Sequence, residues 1–260
     1  MSAIREELAV SPPQTGLSGV LDTFCAIAAL LFTWQVLHWI AGELVLPSPL
    51  GAANQLALIA ADPEFAGHAW ETGRAFATAL LISLIGGLGL GVLLGMHRLS
   101  GEVAEPMLVA LYSIPKITLY PVILLFFGLG VSAKIAFGAL HGIIPVIMFS
   151  MNAVRNIRSV YLRSARAMRL TPLQTGLHVM VPATLPEIVS GFRLGFALTL
   201  LGTMIGEMFA SQRGIGYMLI RAMESNEPTT IMALALLLIV FATCASWILL
   251  ALDNRLHRRT

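Results

Sequence analysis

The chain has 260 residues, 57% of them hydrophobic and 12% charged, with a formal net charge of +2. A mean hydropathy of +0.82 excludes a water-soluble domain, whose surface would be mostly apolar. The small charge, with no basic run interleaved with aromatics, leaves no footprint for nucleic acid.

In chain order, the first segment reads "MSAIREELAVSPPQTG". It lacks the basic start, apolar stretch and small-residue cleavage site of a signal peptide, so residues 1–18 are expected to form a cytoplasmic arm. Residues 19–255 form the membrane domain and 256–260 a short cytoplasmic tail. Within that domain six windows approach the ~20 apolar residues that cross a bilayer: Thr23–Gly42, Ala75–Met96, Met107–Val131, Ile135–Val154, Ile188–Ala210 and Ile231–Leu252. The runs are continuous rather than alternating, which predicts an all-α integral membrane protein of about six helices. Gly87, Gly91 and Gly95 recur at four-residue spacing, as do Gly191 and Gly195, then Gly202 and Gly206. Small residues at that spacing let helix backbones approach closely in lipid, and packing within the bundle is the expected use. Cys25 and Cys244 lie in apolar runs and read as small buried hydrophobes.

Charge sets the orientation. The expected inner segments hold Arg5, Arg98, Arg155, Arg158, Arg163, Arg166, Arg169, Arg255, Arg258 and Arg259; the opposite loops hold Lys134, Arg213 and Arg221, and the opposite 45–67 loop holds no basic residue. The bias predicts both termini, and the 155–186 loop, in the cytoplasm.

That loop interrupts an oily chain with "RSARAMRLTPLQTGLHVMVPATLP". Tyr161, Ala165 and Met168 cluster on one side of a helical wheel, with Arg163 and Arg166 opposite. Thr171 then supplies a cap and Pro172 a first helical position. Leu173, Leu177, Met180 and Val181 follow at helical spacing, and Pro182 and Pro186 are read as closing the segment and opening the fifth span. Two apolar faces imply a folded element. Spacing alone leaves two uses open, contact with anionic headgroups or docking of a soluble partner.

Catalytic and metal-binding motifs are absent from the sequence. The two lysines stand in "IPK" and "SAK", so no phosphate-binding Gly-Lys-Ser/Thr is present. The six histidines lack zinc-protease spacing, and no Gly-x-Ser-x-Gly elbow occurs. His38 and His141, inside spans, read as satisfied interior groups. Lys116, between Pro115 and Pro121 in the third span, reads as a pathway or ion-pair residue, with snorkelling as the alternative. Glu207 is expected to pair with Arg213 or Arg221, to contact a gate, or to meet solvent at its helix end.

The basic loop together with "EIVSGFRLGFALTLLGTMIGEMFASQRGIGYML", "IPKITLYPVILLFFGLG" and the double proline of "VPATLP" resembles the permeases of binding-protein-dependent ABC importers. Within them it is most similar to the nitrate/sulfonate/taurine/bicarbonate branch, over roughly residues 68–252. The resemblance implies a type I importer permease fold with a cytoplasmic coupling helix in a bacterial inner membrane. It implies as partners two ATPase subunits, a second permease (identical or divergent), a periplasmic binding protein and membrane lipid. ATP and Mg would sit on the ATPases, with no cofactor, metal or catalytic residue in this chain. ATPase coupling would fall on Tyr161, Arg163, Ser164, Ala165, Met168, Arg169, Pro172, Leu173, Leu177 and Pro182. The pathway and outer gate would use Pro115, Lys116, Pro121, Glu207, Gly214, Gly216 and Tyr217. The family's loop carries Glu-Ala-Ala, three residues, then Gly, thirteen residues before a proline. Counted back from Pro182, Arg163 stands for the Glu and Arg169 for the Gly, so Pro172 is expected to supply the turn instead. The rival readings are a channel or ion-coupled transporter, needing functional charges in several spans, and an intramembrane enzyme, needing a paired catalytic set.

The charge bias makes a direct prediction. Cysteines placed at Ser159 and Ser225 are expected to label with impermeant reagents from the cytoplasmic and outer sides respectively. Labelling of both from one face would sink the six-span topology.

Overall fold

The structure, a computed structural model, describes residues 17–257, so most of the expected arm and the last residues of the tail lie outside it. Eleven α-helices make up the described chain. In order they are α1 (Leu17–Ala41), α2 (Pro49–Ala61), α3 (Pro63–Met96), α4 (Arg98–Ser113), α5 (Tyr120–Phe127), α6 (Val131–Arg155), α7 (Ser159–Ala167), α8 (Pro172–Thr175), α9 (Val181–Ala210), α10 (Ile215–Glu224) and α11 (Pro228–His257). By length and composition α1, α3, α6, α11 and the continuous rod from α8 through α9 qualify as membrane spans. The pair α4–α5 makes a sixth, bent by 87°. The third span is therefore broken at Ile114–Pro115, where proline removes an N–H and disfavours the helical conformation of the residue before it, and a 3₁₀ turn at Lys116–Leu119 bridges the pieces.

Two further differences from the sequence reading have local causes. The 45–67 loop contains α2, started by Ser48 accepting from the Gly51 N–H with Pro49 at the first position. Asp62 and Pro63 start α3 in the same way. Those caps satisfy donors that the first turn cannot pair internally. The fifth span does not begin at Pro182 or Pro186, because helix runs from Pro172 to Ala210. Pro182 has no N–H, and its ring would strike the carbonyl four residues back. A widened π turn at Gly176–Met180 absorbs the mismatch. Arg74 bonds Glu71 at the end of α3 that meets Lys134 and Arg213, and raises the basic count on that side by one.

The core is α6, with α3 on one side and α9 on the other. In its most apolar stretch 61% of α6 is buried, against 0% for α1. Lipid gives no hydrophobic drive for helix association, so contact distance decides. Glycine supplies that closeness on both faces. A Cβ at Gly91 would stand 2.6 Å from Ser150 Cβ and 2.7 Å from the Ile147 carbonyl of α6. One at Gly195 of α9 would stand 2.6 Å from Val146 Cγ2 of α6. The glycine spacings are thus spent within the chain. Ser83 Oγ donates to the Ala139 carbonyl at 3.1 Å, adding a polar tie between α3 and α6. Outside this core, α1 is held by Trp34 Nε1 donating to the Pro47 carbonyl (3.0 Å) and by His38 Nδ1 on the Leu46 carbonyl (2.7 Å). Cys25 and Cys244, expected to be buried, are instead free and exposed, because α1 and α11 bury little of their surface against the rest of the chain.

Gly89 has nothing within 4 Å of its added Cβ, whereas Gly91, one half-turn away, meets α6. Gly91→Leu is expected to lose at least ~3 kcal/mol and most of the folded protein, since overpacking a rigid contact typically costs 1–3 kcal/mol for far smaller insertions. Gly89→Leu should be tolerated. Thermal unfolding in detergent with size-exclusion recovery checks both; equal loss in the two variants would refute the α3–α6 packing.

Candidate functional site

Three places carry the residues singled out from sequence: the basic loop, the break in the third span, and the far end of the α3–α6–α9 core. At the loop, α7 ends where the Leu170 N–H reaches the Ala165 carbonyl and the Arg169 N–H reaches the Arg166 carbonyl, both at 3.0 Å. Those two bonds, with φ of +53° at Arg169, form a left-handed helix stop normally made by glycine. The turn is therefore made at Arg169 and not by Pro172, at a cost of about 1–2 kcal/mol for a side chain in that region. Pro172 instead opens α8 beneath a complete capping box of Thr171 and Gln174.

The predicted apolar face is divided. Ala165 is 2% exposed and turned into the protein, and Tyr161 is half-buried with Arg158 stacked on its ring at 4.6 Å. Both line a cavity of about 550 Å³ between α7 and the base of α9, with Ser164, Met168, His178 and Pro182. Met168, Leu173 and Leu177 remain exposed, joined by Val160, which the sequence reading passed over. Around them Arg163 donates to Ser159 Oγ (3.1 Å) and Arg166 to the Leu162 carbonyl. Among the described residues no carboxylate pairs with Arg163, Arg166 or Arg169. The result is an apolar patch rimmed by unneutralised guanidinium groups.

At the break, Lys116 is partly exposed, its Nζ donating to the Tyr112 carbonyl at 3.2 Å and lying 4.8 Å from that ring's centroid. Pro115 and Pro121 flank it, both exposed.

The far end is a buried polar cluster. Glu207 on α9 is 0% exposed, and it pairs with neither Arg213 nor Arg221 nor solvent. Thr72 of α3 donates to its carboxylate at 2.8 Å, the Gly216 N–H at 2.9 Å, and Lys134 Nζ of α6 stands 3.7 Å away. Lys134, 2% exposed, also donates to the Arg213 carbonyl (2.8 Å) and to Glu71 (3.4 Å). The Ile215 N–H donates to Thr72 Oγ1 at 2.8 Å, and the Gly214 N–H donates to His68 Nδ1 at 3.0 Å. His68 in turn stacks on Tyr217, centroids 6.0 Å apart. The 211–216 loop is thereby pinned by its own backbone to α3, α6 and α9. Only glycine fits at 214, where φ is +123° and a Cβ would collide with the Glu207 carboxyl, and a Cβ at Gly216 would meet the Met204 carbonyl at 2.6 Å. Sequence reasoning singled out Glu207, Gly214, Gly216 and Tyr217, which the structure brings together. It missed Thr72, His68, Glu71 and the inward turn of Lys134, whose apparent place in an outer loop concealed burial.

A buried ion pair is costly to break from one side, by about 3–5 kcal/mol, because the partner charge is stranded. Glu207→Met and Lys134→Met are each expected to destabilise by that order. The double variant should recover a large part of the loss, giving a coupling of about 2 kcal/mol or more. Strict additivity in thermal unfolding would contradict the pairing.

Comparison with known proteins agrees with this architecture. The family described as "Binding-protein-dependent transport system inner membrane component" matches residues 87–258. A probable ABC transporter permease protein of Haemophilus influenzae is 28% identical over 241 residues, covering 92% of this chain and 96% of that one. The taurine transport system permease protein of Escherichia coli is 25% identical over 237 residues, 88% and 86% of the two chains. The nitrate import permease protein of Leptolyngbya laminosa is 27% identical over 216 residues, 80% and 77%. An inward-facing structure of the MetNI methionine ABC transporter shares the fold, with a TM-score of 0.65 at 19% identity over 74% of this chain and 95% of that one. With its type I importer helices, its basic loop after α6 and a family match over most of its length, the chain belongs to the inner-membrane components of binding-protein-dependent transport systems, the permease subunits of ABC importers.

Proposed function

We propose that this permease pairs with a second, identical or divergent, permease to enclose a pathway for a small anionic solute. The chain's N-terminus, C-terminus and 155–186 loop lie in the cytoplasm of a bacterial cell, and a periplasmic binding protein delivers the solute to the opposite face. Two ATPase subunits carry the ATP and Mg and grip the loop from below, residues 1–18 and 256–260 flanking the membrane domain on that side. Relatives named for aliphatic sulfonates, taurine and nitrate support an anionic solute; one named for formylaminopyrimidine transport widens the class.

One observation carries the coupling role. Val160, Met168, Leu173 and Leu177 are 57–73% exposed on a folded hairpin, which an aqueous loop has no reason to display unless a partner covers it. Buried apolar anchors dominate such contacts, and rim charges set orientation and rate. Arg163, Arg166 and Arg169 are that rim. The hairpin passes motion to the rod beginning at Pro172, and Glu207 near the rod's other end holds the 211–216 loop as an outer gate with Gly214, Gly216 and Tyr217. Pro115, Lys116 and Pro121 line the pathway between.

Met168→Asp is expected to dissociate the ATPase subunits by placing an unpaired charge in the contact. Arg163→Glu, on the rim, should be milder. Co-purification and binding-protein-stimulated ATP hydrolysis in proteoliposomes report the outcome. An intact, coupled complex with Asp at 168 would reduce the hairpin to a headgroup-facing linker.

A further inference from the structure

Lys116 and His141 occupy matching positions on neighbouring elements. α5 runs toward the turn at 128–130 and α6 runs back from it, so the two are antiparallel. The Tyr120 ring packs edge-on against Phe137 at 4.8 Å, and Phe137 packs against His141 at 4.5 Å. One turn back from Tyr120 is Lys116, and one turn on from Phe137 is His141.

The pair sits deep. His141 is the eleventh residue of the 25-residue α6, about 15 Å from one end and about 21 Å from the other at 1.5 Å per residue. Its Nδ1 donates to the Phe137 carbonyl at 2.9 Å, and among the described residues no hydrogen bond is made by Nε2. Lys116 spends one N–H on the Tyr112 carbonyl and has two more to give. Among the described residues no carboxylate pairs with either side chain. Glu102 and Glu105 of α4 bond Arg98 and Arg155 at the loop end, Glu207 is committed to Thr72, Gly216 and Lys134, and Glu187 lines the cavity beside α7. Lipid does not tolerate this arrangement. Backbone off the helical path at membrane depth persists only inside protein or along a cavity, and an ammonium there is costly against hydrocarbon. Ser113, Ile114 and Pro115 are nonetheless exposed on this chain.

We infer that Lys116 and His141 form the anion-selecting point of the pathway, a site near the bilayer midplane that takes the head group of a small oxyanion. This rests on the reading of two permeases around one pathway. Lys116 supplies charge and two N–H donors, and His141 adds a ring edge that donates when protonated. The site repels cations and offers no carboxylate to compete with the solute.

The test needs no knowledge of the solute. In the assembled transporter with Cys25→Ala and Cys244→Ala, a Thr118→Cys probe is reacted with an anionic and a cationic methanethiosulfonate reagent. Both are expected to react. The ratio of anionic to cationic rate should fall about tenfold on adding Lys116→Met, the effect of one unit charge about 6 Å away at the dielectric of water, felt with opposite sign by the two reagents. It should fall less with His141→Gln and stay high with Lys116→Arg. An unchanged ratio in Lys116→Met overturns the site. So does failure of both reagents at Thr118→Cys while Ser159→Cys reacts, because the break then faces lipid or closed protein. Stimulation of ATP hydrolysis by the binding protein, measured on the same unsubstituted complex, tests the importer reading separately; its absence would sink that reading while leaving the reagent ratio informative about charge.

Discussion

Apolar side chains gain little by leaving lipid for one another, so the core of this protein depends on how closely three backbones approach. α6 lies between α3 and α9, and glycines on all three helices remove the side chains that would hold them apart. Dispersion between closely packed atoms replaces the hydrophobic term that a soluble core relies on. The far end of the same trio carries the costliest side chains in the fold, the buried Glu207 and Lys134. They are affordable only because Thr72, Gly216 and Arg213 complete their hydrogen bonds. All three core helices contribute to that cluster, α3 through His68, Glu71 and Thr72, α6 through Lys134 and α9 through Glu207, which holds the trio in register as well as pinning the loop.

The helix from Pro172 to Ala210 connects the two ends that matter. Its first turn is the capped start at Thr171, and its last turns carry Glu207. The exposed hairpin of α7 and α8 and the pinned 211–216 loop are therefore fixed to one rod. At the hairpin the chain reverses at a strained arginine where the family's pattern has glycine. The reversal survives because two backbone bonds and a capping box determine the conformation on either side of it.

Much of this was legible in the sequence. Hydropathy located the spans, because a segment in lipid must pair its own backbone and so must be a long apolar helix. The glycine spacing announced close packing, the Thr171-Pro172 pair announced a helix start, and the spread marks "VPATLP" and "GEMFASQRGIGYML" carried the family. Such signals are local: caps, periods and motifs act within a turn or two of chain. The Ser-Pro and Asp-Pro starts of α2 and α3 are equally local, and reading residues 45–67 as a plain loop overlooked them.

Tertiary structure decided the rest, for reasons of distance along the chain. Glu207 finds Thr72 at a separation of 135 residues and Lys134 by helix packing, and neither partner is marked by spacing. The π turn before Pro182 and the 87° bend after Ser113 record how prolines were accommodated, and a proline alone announces a break without saying which form it takes. Likewise a helical wheel put Tyr161, Ala165 and Met168 on one face, but only the position of α9 turned Ala165 inward and left Met168 outside. By itself the sequence determined what each segment must be in a membrane, since the solvent imposes that on every residue; which buried charges meet depends on how three helices settle against one another, and that is a property of their packed surfaces.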